Sequence, residues 1–174
     1  MSQLPPVLDP ASGGRMMYFN RQSPVVIFGD QRRETLTVTD RSHGNASGTR
    51  TIHIHPDMLM DFRALPFPDH AFKLVVFDPP HLVRAGARSW LAAKYGKLGD
   101  NWQDDLRAGF AESWRVLDLE GTLVFKWAEV QVPLRDVLAL APQRPLFGSA
   151  RSGKNKTHWL CFFKERAVAA GEGE

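Results

Sequence analysis

Apolar and polar residues follow two different patterns along this chain, and the contrast sorts its elements. In the first pattern, short runs such as Lys73-Leu74-Val75-Val76-Phe77 are rich in β-branched residues and show no two-residue alternation. That texture predicts strands buried on both faces, as in the middle of a parallel sheet. Runs of this kind lie at residues 23–30, 73–77 and 122–127, with short strands expected at 6–9 and 57–61, and the first four of these in chain order stop at Asp9, Asp30, Asp61 and Asp78. In the second pattern, residues 35–39 and 50–55 alternate polar with apolar around the polar stretch 40–48, which predicts an antiparallel hairpin with one solvated face. Helical spacing is clearest over 101–117, where Trp102, Leu106, Phe110, Trp114 and Leu117 share one face and Asp104, Asp105 and Arg107 lie off it. Asp118-Leu119-Glu120-Gly121 reads as a turn, and Pro133 suits the first turn of a helix running through Leu140. Strands around 146–148 and 158–163 close the pattern, and the small, acidic tail 167–174 is expected to be disordered.

The 73–77 run is the organising one, because Asp78-Pro79-Pro80-His81 follows it directly. Proline cannot donate to a ladder and drives the preceding residue out of the helical region, so the strand finishes at Asp78 in a rigid turn. In open α/β sheets ligands bind at that carboxyl edge. The same edge would receive Asp30, Asp61, Lys126 and Trp127.

With 174 residues and 43% apolar content, the chain fits one domain, residues 1–166, with a sizeable core. Cys161 is the sole cysteine, which excludes an intramolecular disulfide and a cysteine-based zinc site and suits a reducing compartment. No apolar stretch approaches membrane-spanning length and the start has no signal-peptide pattern, so a cytoplasmic protein without a membrane partner is expected. A formal net charge of +3 is compatible with a polyanionic partner but decides nothing. Placement of the charge says more. Arg84, Arg88, Lys94 and Lys97, interleaved with Trp90 and Tyr95, and the loop cations Arg151, Lys154 and Lys156 are candidate phosphate contacts; the competing reading of residues 82–99 is a helix with solvated lysines and one buried tryptophan. His53 and His55 share a strand face, yet no cysteine or acid accompanies them, so a solvated face is expected there and no metal site. The small residues Pro10-Ala11-Ser12-Gly13-Gly14 would let backbone approach a ligand closely, or form an ordinary glycine turn.

Taken together, the order of parts from Asp9 to Lys164 resembles the class I S-adenosylmethionine-dependent methyltransferases. Asp9-Pro10-Ala11-Ser12-Gly13-Gly14 looks like that family's first cofactor loop, Asp30 sits where its second strand offers an acid to the ribose, and Asp61-Phe62 sits where its third contacts the adenine. The approach Leu65-Pro66-Phe67-Pro68-Asp69 and the segments Trp114-Arg115-Val116-Leu117 and Gly121-Thr122-Leu123 match the family's approaches to its fourth and fifth strands. The resemblance implies a Rossmann-like α/β fold, a mostly parallel seven-stranded sheet with an antiparallel last strand and an inserted hairpin around 35–55, and S-adenosyl-L-methionine as cofactor.

Asp78-Pro79-Pro80-His81 is similar to the Asp/Asn-Pro-Pro-aromatic signature of enzymes that methylate exocyclic amino groups of nucleobases. Such an amino nitrogen has its lone pair drawn into the ring, so acceptors must restore its nucleophilicity. The resemblance gives that role to the Asp78 carboxylate and the Pro79 carbonyl, and a stacking role to position 81. Nucleic acid is the partner it implies, DNA favoured with adenine-N6 ahead of cytosine-N4, RNA as the alternative, and a duplex base would have to flip out. Two positions depart from the family pattern: Arg15 stands where another glycine is usual, where it could pair with the methionine carboxylate, and His81 replaces Tyr, Phe or Trp. A small-molecule methyltransferase using His81 as a base, and a non-catalytic nucleic-acid-binding protein, are the readings that compete.

Overall fold

The computed structural model describes residues 4–40, 45–84, 86, 90–149 and 157–166. In chain order these form β1 (Val7–Asp9), β2 (Val26–Asp30), β3 (Glu34–Thr39), β4 (Thr49–Ile54), β5 (Met58–Leu59), β6 (Phe72–Phe77), α1 (Trp90–Tyr95), α2 (Trp102–Val116), β7 (Leu117–Ala128), α3 (Leu134–Leu138), β8 (Phe147–Ser149) and β9 (Thr157–Phe163). Seven strands make one sheet in the order β5-β2-β1-β6-β7-β9-β8. All its pairings are parallel except those of β9, which runs antiparallel between β7 and β8. The chain therefore starts in the middle of the sheet, builds outward through β2 and β5, and returns to β6 and β7 on the other side. Strand order reverses between β1 and β6, and the crevice at the carboxyl ends of two such strands is where ligands bind in open α/β sheets.

The core explains why the carboxyl edge is held rigidly. Phe77 at the end of β6, Phe125 on β7 and Phe110 on α2 are fully buried, with ring centroids 4.8 to 5.8 Å apart. A side chain of this size contributes about 1.5–3 kcal/mol on burial. The helix comes this close because residue 109 is glycine: a Cβ there would stand 2.6 Å from Phe77 and 2.7 Å from Phe62.

Most of the sequence-predicted elements are present, with four differences. The stretch 118–121 is not a free turn. β7 runs through it with a bulge, pairing jumps from Phe72↔Leu117 to Leu74↔Thr122, and Glu120 adopts φ 61° while its N–H donates to the Lys164 carbonyl at 2.7 Å. The helix after Pro133 ends at Leu138 rather than Leu140, and only Met58–Leu59 of the 57–61 run is strand. Among the described residues of the 82–99 segment, Trp90–Tyr95 alone is helical. The tail 167–174, expected to be disordered, lies outside the described residues. β3 and β4 pair from Glu34↔Ile54 to Thr39↔Thr49 as a separate two-stranded sheet, with Ile52 and Ile54 buried and His53 and His55 exposed. Among the described residues Cys161 is a free thiol, and no helix is long and apolar enough to cross a membrane.

Candidate functional site

β1 and β6 end side by side, and the two acids they carry have different surroundings. Asp9, with no exposed surface, accepts hydrogen bonds from the Tyr18 hydroxyl (2.9 Å) and the Ala11 N–H (3.2 Å). Burial pushes its carboxyl up to about 7, with the nearby charges of Asp78 and Asp30 adding to the rise. The Tyr18 phenol is raised in turn, first by burial and then by the Asp9 charge. Asp78 keeps 18% of its side chain exposed, and the Lys126 ammonium donates to its Oδ2 at 2.5 Å. Burial raises the Asp78 carboxyl, whereas Lys126 pulls it back down. Lys126 also lies 5.6 Å from the centre of the Trp159 ring. It reaches the site because β7 runs parallel to β6 in register Phe77↔Phe125, which sets Lys126 opposite Asp78.

Pro79 and Pro80 carry the chain away from the sheet and deliver His81 beside Tyr95 of α1, ring centroids 5.3 Å apart. Burial lowers the His81 pKa, and the Lys126 charge lowers it further, so the imidazole is neutral at physiological pH. The turn after α1 fits against this motif through Gly96, whose φ of 79° suits glycine and whose Cβ, if present, would be 3.0 Å from the Pro80 ring.

Two cavities open along this edge. The larger, about 740 Å³, has one wall from Asp78, Pro79, His81 and Lys126 and another from His53 and His55 of β4, with the 11–17 loop between them. Among the described residues lining it, Arg15, Arg21, Arg50, Lys94 and Lys126 are cationic and Asp78 alone is an acid. The smaller, about 320 Å³, lies between Pro10, Asp30, Phe62 and Pro80, and Ala11 and Tyr95 border both.

The cofactor-loop candidates divide accordingly. Pro10 faces the smaller cavity, Ala11 both, and Ser12, Gly13, Gly14 and Arg15 the larger. Asp30 anchors the loop: its Oδ2 accepts from the Gly13 N–H at 3.0 Å, and its Oδ1 from the Arg32 N–H at 2.9 Å and Nε at 3.2 Å. The Ser12 hydroxyl is buried against the larger cavity and finds no hydrogen-bond partner among the described residues. Arg15 holds φ 54° and donates to the Arg21 carbonyl (2.7 Å), the His55 carbonyl (2.8 Å) and the Asp57 carboxylate (2.6 Å), while stacking 4.1 Å above Phe28. Its guanidinium is thus engaged in closing the 15–21 loop onto the hairpin.

Three of the sequence-predicted site residues lie away from both cavities. Asp9 lines neither cavity, because its carboxylate is enclosed under Tyr18. Asp61 lines neither as well: Arg63 grips both its oxygens at 2.6 to 3.0 Å, which holds the carboxyl below its usual range. Trp127 was expected beside Lys126 at the edge, but successive strand residues point to opposite faces. It is fully buried, with its indole N–H donating to the Val132 carbonyl at 3.0 Å. Phe62 presents part of its side chain to the smaller cavity while packing 5.5 Å from Phe77.

Among the candidate phosphate contacts, Lys94 lines the larger cavity and Lys97 the smaller. Arg84 is exposed and lines neither, its backbone fixed by Gln131. Arg88, Arg151, Lys154 and Lys156 lie outside the described residues. His53 and His55 both bond Thr35 Oγ1, at 3.3 and 2.9 Å, and among the described residues no group of three metal-ligating side chains assembles. Tyr18 carries no motif signal; only the fold shows it bonded to Asp9.

No protein-family model matches the chain, and a search of the curated proteins finds no match. Among solved structures, the PH0226 protein of Pyrococcus horikoshii OT3 overlaps 92% of this chain and 81% of its own, with a TM-score of 0.53 at 14% identity. The fold is Rossmann-like α/β, a mostly parallel seven-stranded sheet with one antiparallel strand. A chain from the complex of the Haloferax volcanii Trm112 methyltransferase activator with its candidate methyltransferase overlaps 70% of this chain and 44% of its own at 17% identity, but at TM-score 0.34 too loosely to define a common fold.

Proposed function

We propose that this chain is an S-adenosylmethionine-dependent methyltransferase acting on an exocyclic amino group of a nucleobase in nucleic acid, DNA adenine-N6 favoured over cytosine-N4 and RNA the other candidate polymer. The observation that carries this reading is the Asp78 carboxylate. It ends the central strand at the switch point, faces the larger cavity, and among the described residues takes a hydrogen bond only from Lys126, on Oδ2. Oδ1 is then left for a substrate N–H. Accepting that bond, together with the Pro79 carbonyl, draws the amino nitrogen toward a tetrahedral shape and returns its lone pair. Burial raises the Asp78 carboxyl and Lys126 counteracts that rise, and burial makes the carboxylate form a stronger acceptor for the proton that nitrogen must lose. His81 and Tyr95 offer aromatic surface to a planar base.

The residues present fit the cofactor. Ser12 supplies a buried hydroxyl at the cavity wall that finds no partner among the described residues, and Asp30 holds the loop from the side of the smaller cavity. Residues 10–14 and Asp30 would hold S-adenosylmethionine, which when bound supplies an electrophilic methyl group. Among the described residues five cations and one acid line the larger cavity; Arg15, Arg50 and Lys126 are ion-paired with Asp57, Asp40 and Asp78, and the cationic lining as a whole favours an anionic substrate over a neutral one. The small-molecule alternative rests on His81, whose pKa is lowered by burial and by the Lys126 charge, which favours the unprotonated imidazole that a base needs. The same neutrality suits a stacking plate, and aromatic replacements of His81 separate the two. The reading is tested by incubating DNA and RNA with the protein and cofactor, digesting them to nucleosides and assaying for N6-methyladenine and N4-methylcytosine by mass spectrometry. Absence of both, with cofactor bound, would refute it.

A further inference from the structure

Several of the exposed apolar side chains lie at the outer strands of the sheet: Met58 and Leu59 on edge strand β5, Leu146 and Phe147 at edge strand β8. Phe19 is different. At 112% relative exposure, nothing covers its ring, and it sits in the loop whose residues on both sides, Met16 and Met17 before it and Arg21 and Gln22 after it, line the larger cavity.

This loop is pinned, so the exposure is not that of a loose segment. The Arg15 guanidinium donates to the Arg21 carbonyl at 2.7 Å and closes the loop at its base. The Tyr18 N–H donates to the Arg15 carbonyl at 3.2 Å, the Tyr18 hydroxyl to Asp9 at 2.9 Å, and the Tyr18 ring meets Phe28 edge-on at 4.7 Å. Beyond the apex the Gln22 N–H donates to Asn20 Oδ1 at 3.0 Å. The residue before Phe19 is thus anchored to the sheet and the residue after it is braced, and the bare ring is presented at the rim of a cavity rich in cations. An aromatic ring held in place beforehand loses little entropy when a flat surface stacks on it.

We infer that Phe19 is a stacking platform for nucleic acid, taking the base next to the one received into the cavity. This rests on the nucleic-acid reading above and adds a contact outside the reacting site. Stacking on an aromatic ring tolerates any base, so it adds affinity without sequence preference.

The test uses the full chain with fluorescein-labelled, mixed-sequence DNA and RNA oligonucleotides. Binding is followed by anisotropy against salt, cofactor affinity by calorimetry and assembly state by sedimentation. Phe19→Ala should weaken oligonucleotide binding by about tenfold, the value of one base stacked on a ring, and Phe19→Trp should restore it. Cofactor affinity should not move. The salt slope should also stay fixed, because no phosphate contact is lost; removing a phosphate-binding cation would lower that slope by about one. Alanine binding like wild type would overturn the platform and leave the nucleic-acid reading standing. A change in sedimentation at unaltered oligonucleotide affinity would also overturn it, assigning the ring to a second copy of the chain. Wild-type protein that binds neither polymer would bring down the reading and the platform together.

Discussion

Asp9 and Asp78 stand at or just past the carboxyl ends of neighbouring parallel strands, in a sheet whose order reverses between them. Burial raises both carboxyls. What separates them is the partner. Asp9 faces a phenol, which can share a proton but cannot offset a charge, and its carboxyl rises to about 7. Asp78 faces an ammonium at 2.5 Å that counteracts the rise from burial, and the cavity gives it somewhere to act. A motif acid at a strand end is therefore not by itself a site. It becomes one when an opposite charge offsets its desolvation and one oxygen stays open.

Ranked by effect on turnover, the sharpest test of this contrast is Asp78→Ala, which should lower methyl transfer by about 10²–10³ while leaving cofactor affinity, measured by calorimetry, largely intact. Next is His81. Alanine should weaken base capture by about 1–3 kcal/mol of lost stacking, whereas His81→Tyr and His81→Phe should stay active; if both aromatic variants are as inactive as alanine in rate assays across pH, His81 is a base instead. Lys126→Met should make Asp78 behave as a second Asp9. Its carboxyl, no longer held down, would ionise only at higher pH, so turnover at neutral pH should fall about tenfold or more, with the acid limb of the pH–rate profile moved upward. Lys126→Arg should keep the wild-type profile, and an unshifted Lys126→Met profile would break the comparison.

Asp9→Asn should change turnover least and show itself in stability. A carboxyl raised from 3.8 to about 7 binds its proton more tightly in the folded state. Its contribution is complete below the lower value and is lost as pH rises to the upper one, by a few kcal/mol at most. Melting temperatures of the asparagine variant should therefore vary less between about pH 4 and 7 than those of wild type. Parallel curves would mean that Asp9 is not the group responsible.

Much of the architecture was legible in the sequence because burial on both faces and a proline stop leave local marks. Residues 73–80 show them together, and the alternation at 35–39 and 50–55 gave the hairpin for the same reason. Partners set by the fold leave no such mark. Tyr18 meets Asp9 over a separation of nine residues, and Lys126 meets Asp78 over 48. In Thr122-Leu123-Val124-Phe125-Lys126-Trp127 the apolar residues mask a strand whose buried positions are Leu123, Phe125 and Trp127, so the side chains of Lys126 and Trp127 were placed together although they point apart. Asp61 shows the reverse limit: its position suited a ligand contact, and Arg63 two residues on holds it.

The most direct measurement is transfer of tritium from methyl-labelled S-adenosylmethionine to DNA, RNA and small amines side by side, with wild-type protein and Asp78→Ala. The account predicts label in a nucleic acid, little in the amines, and loss of that label in the variant. Label in the small amines alone, or transfer to nucleic acid undiminished by Asp78→Ala, would contradict it.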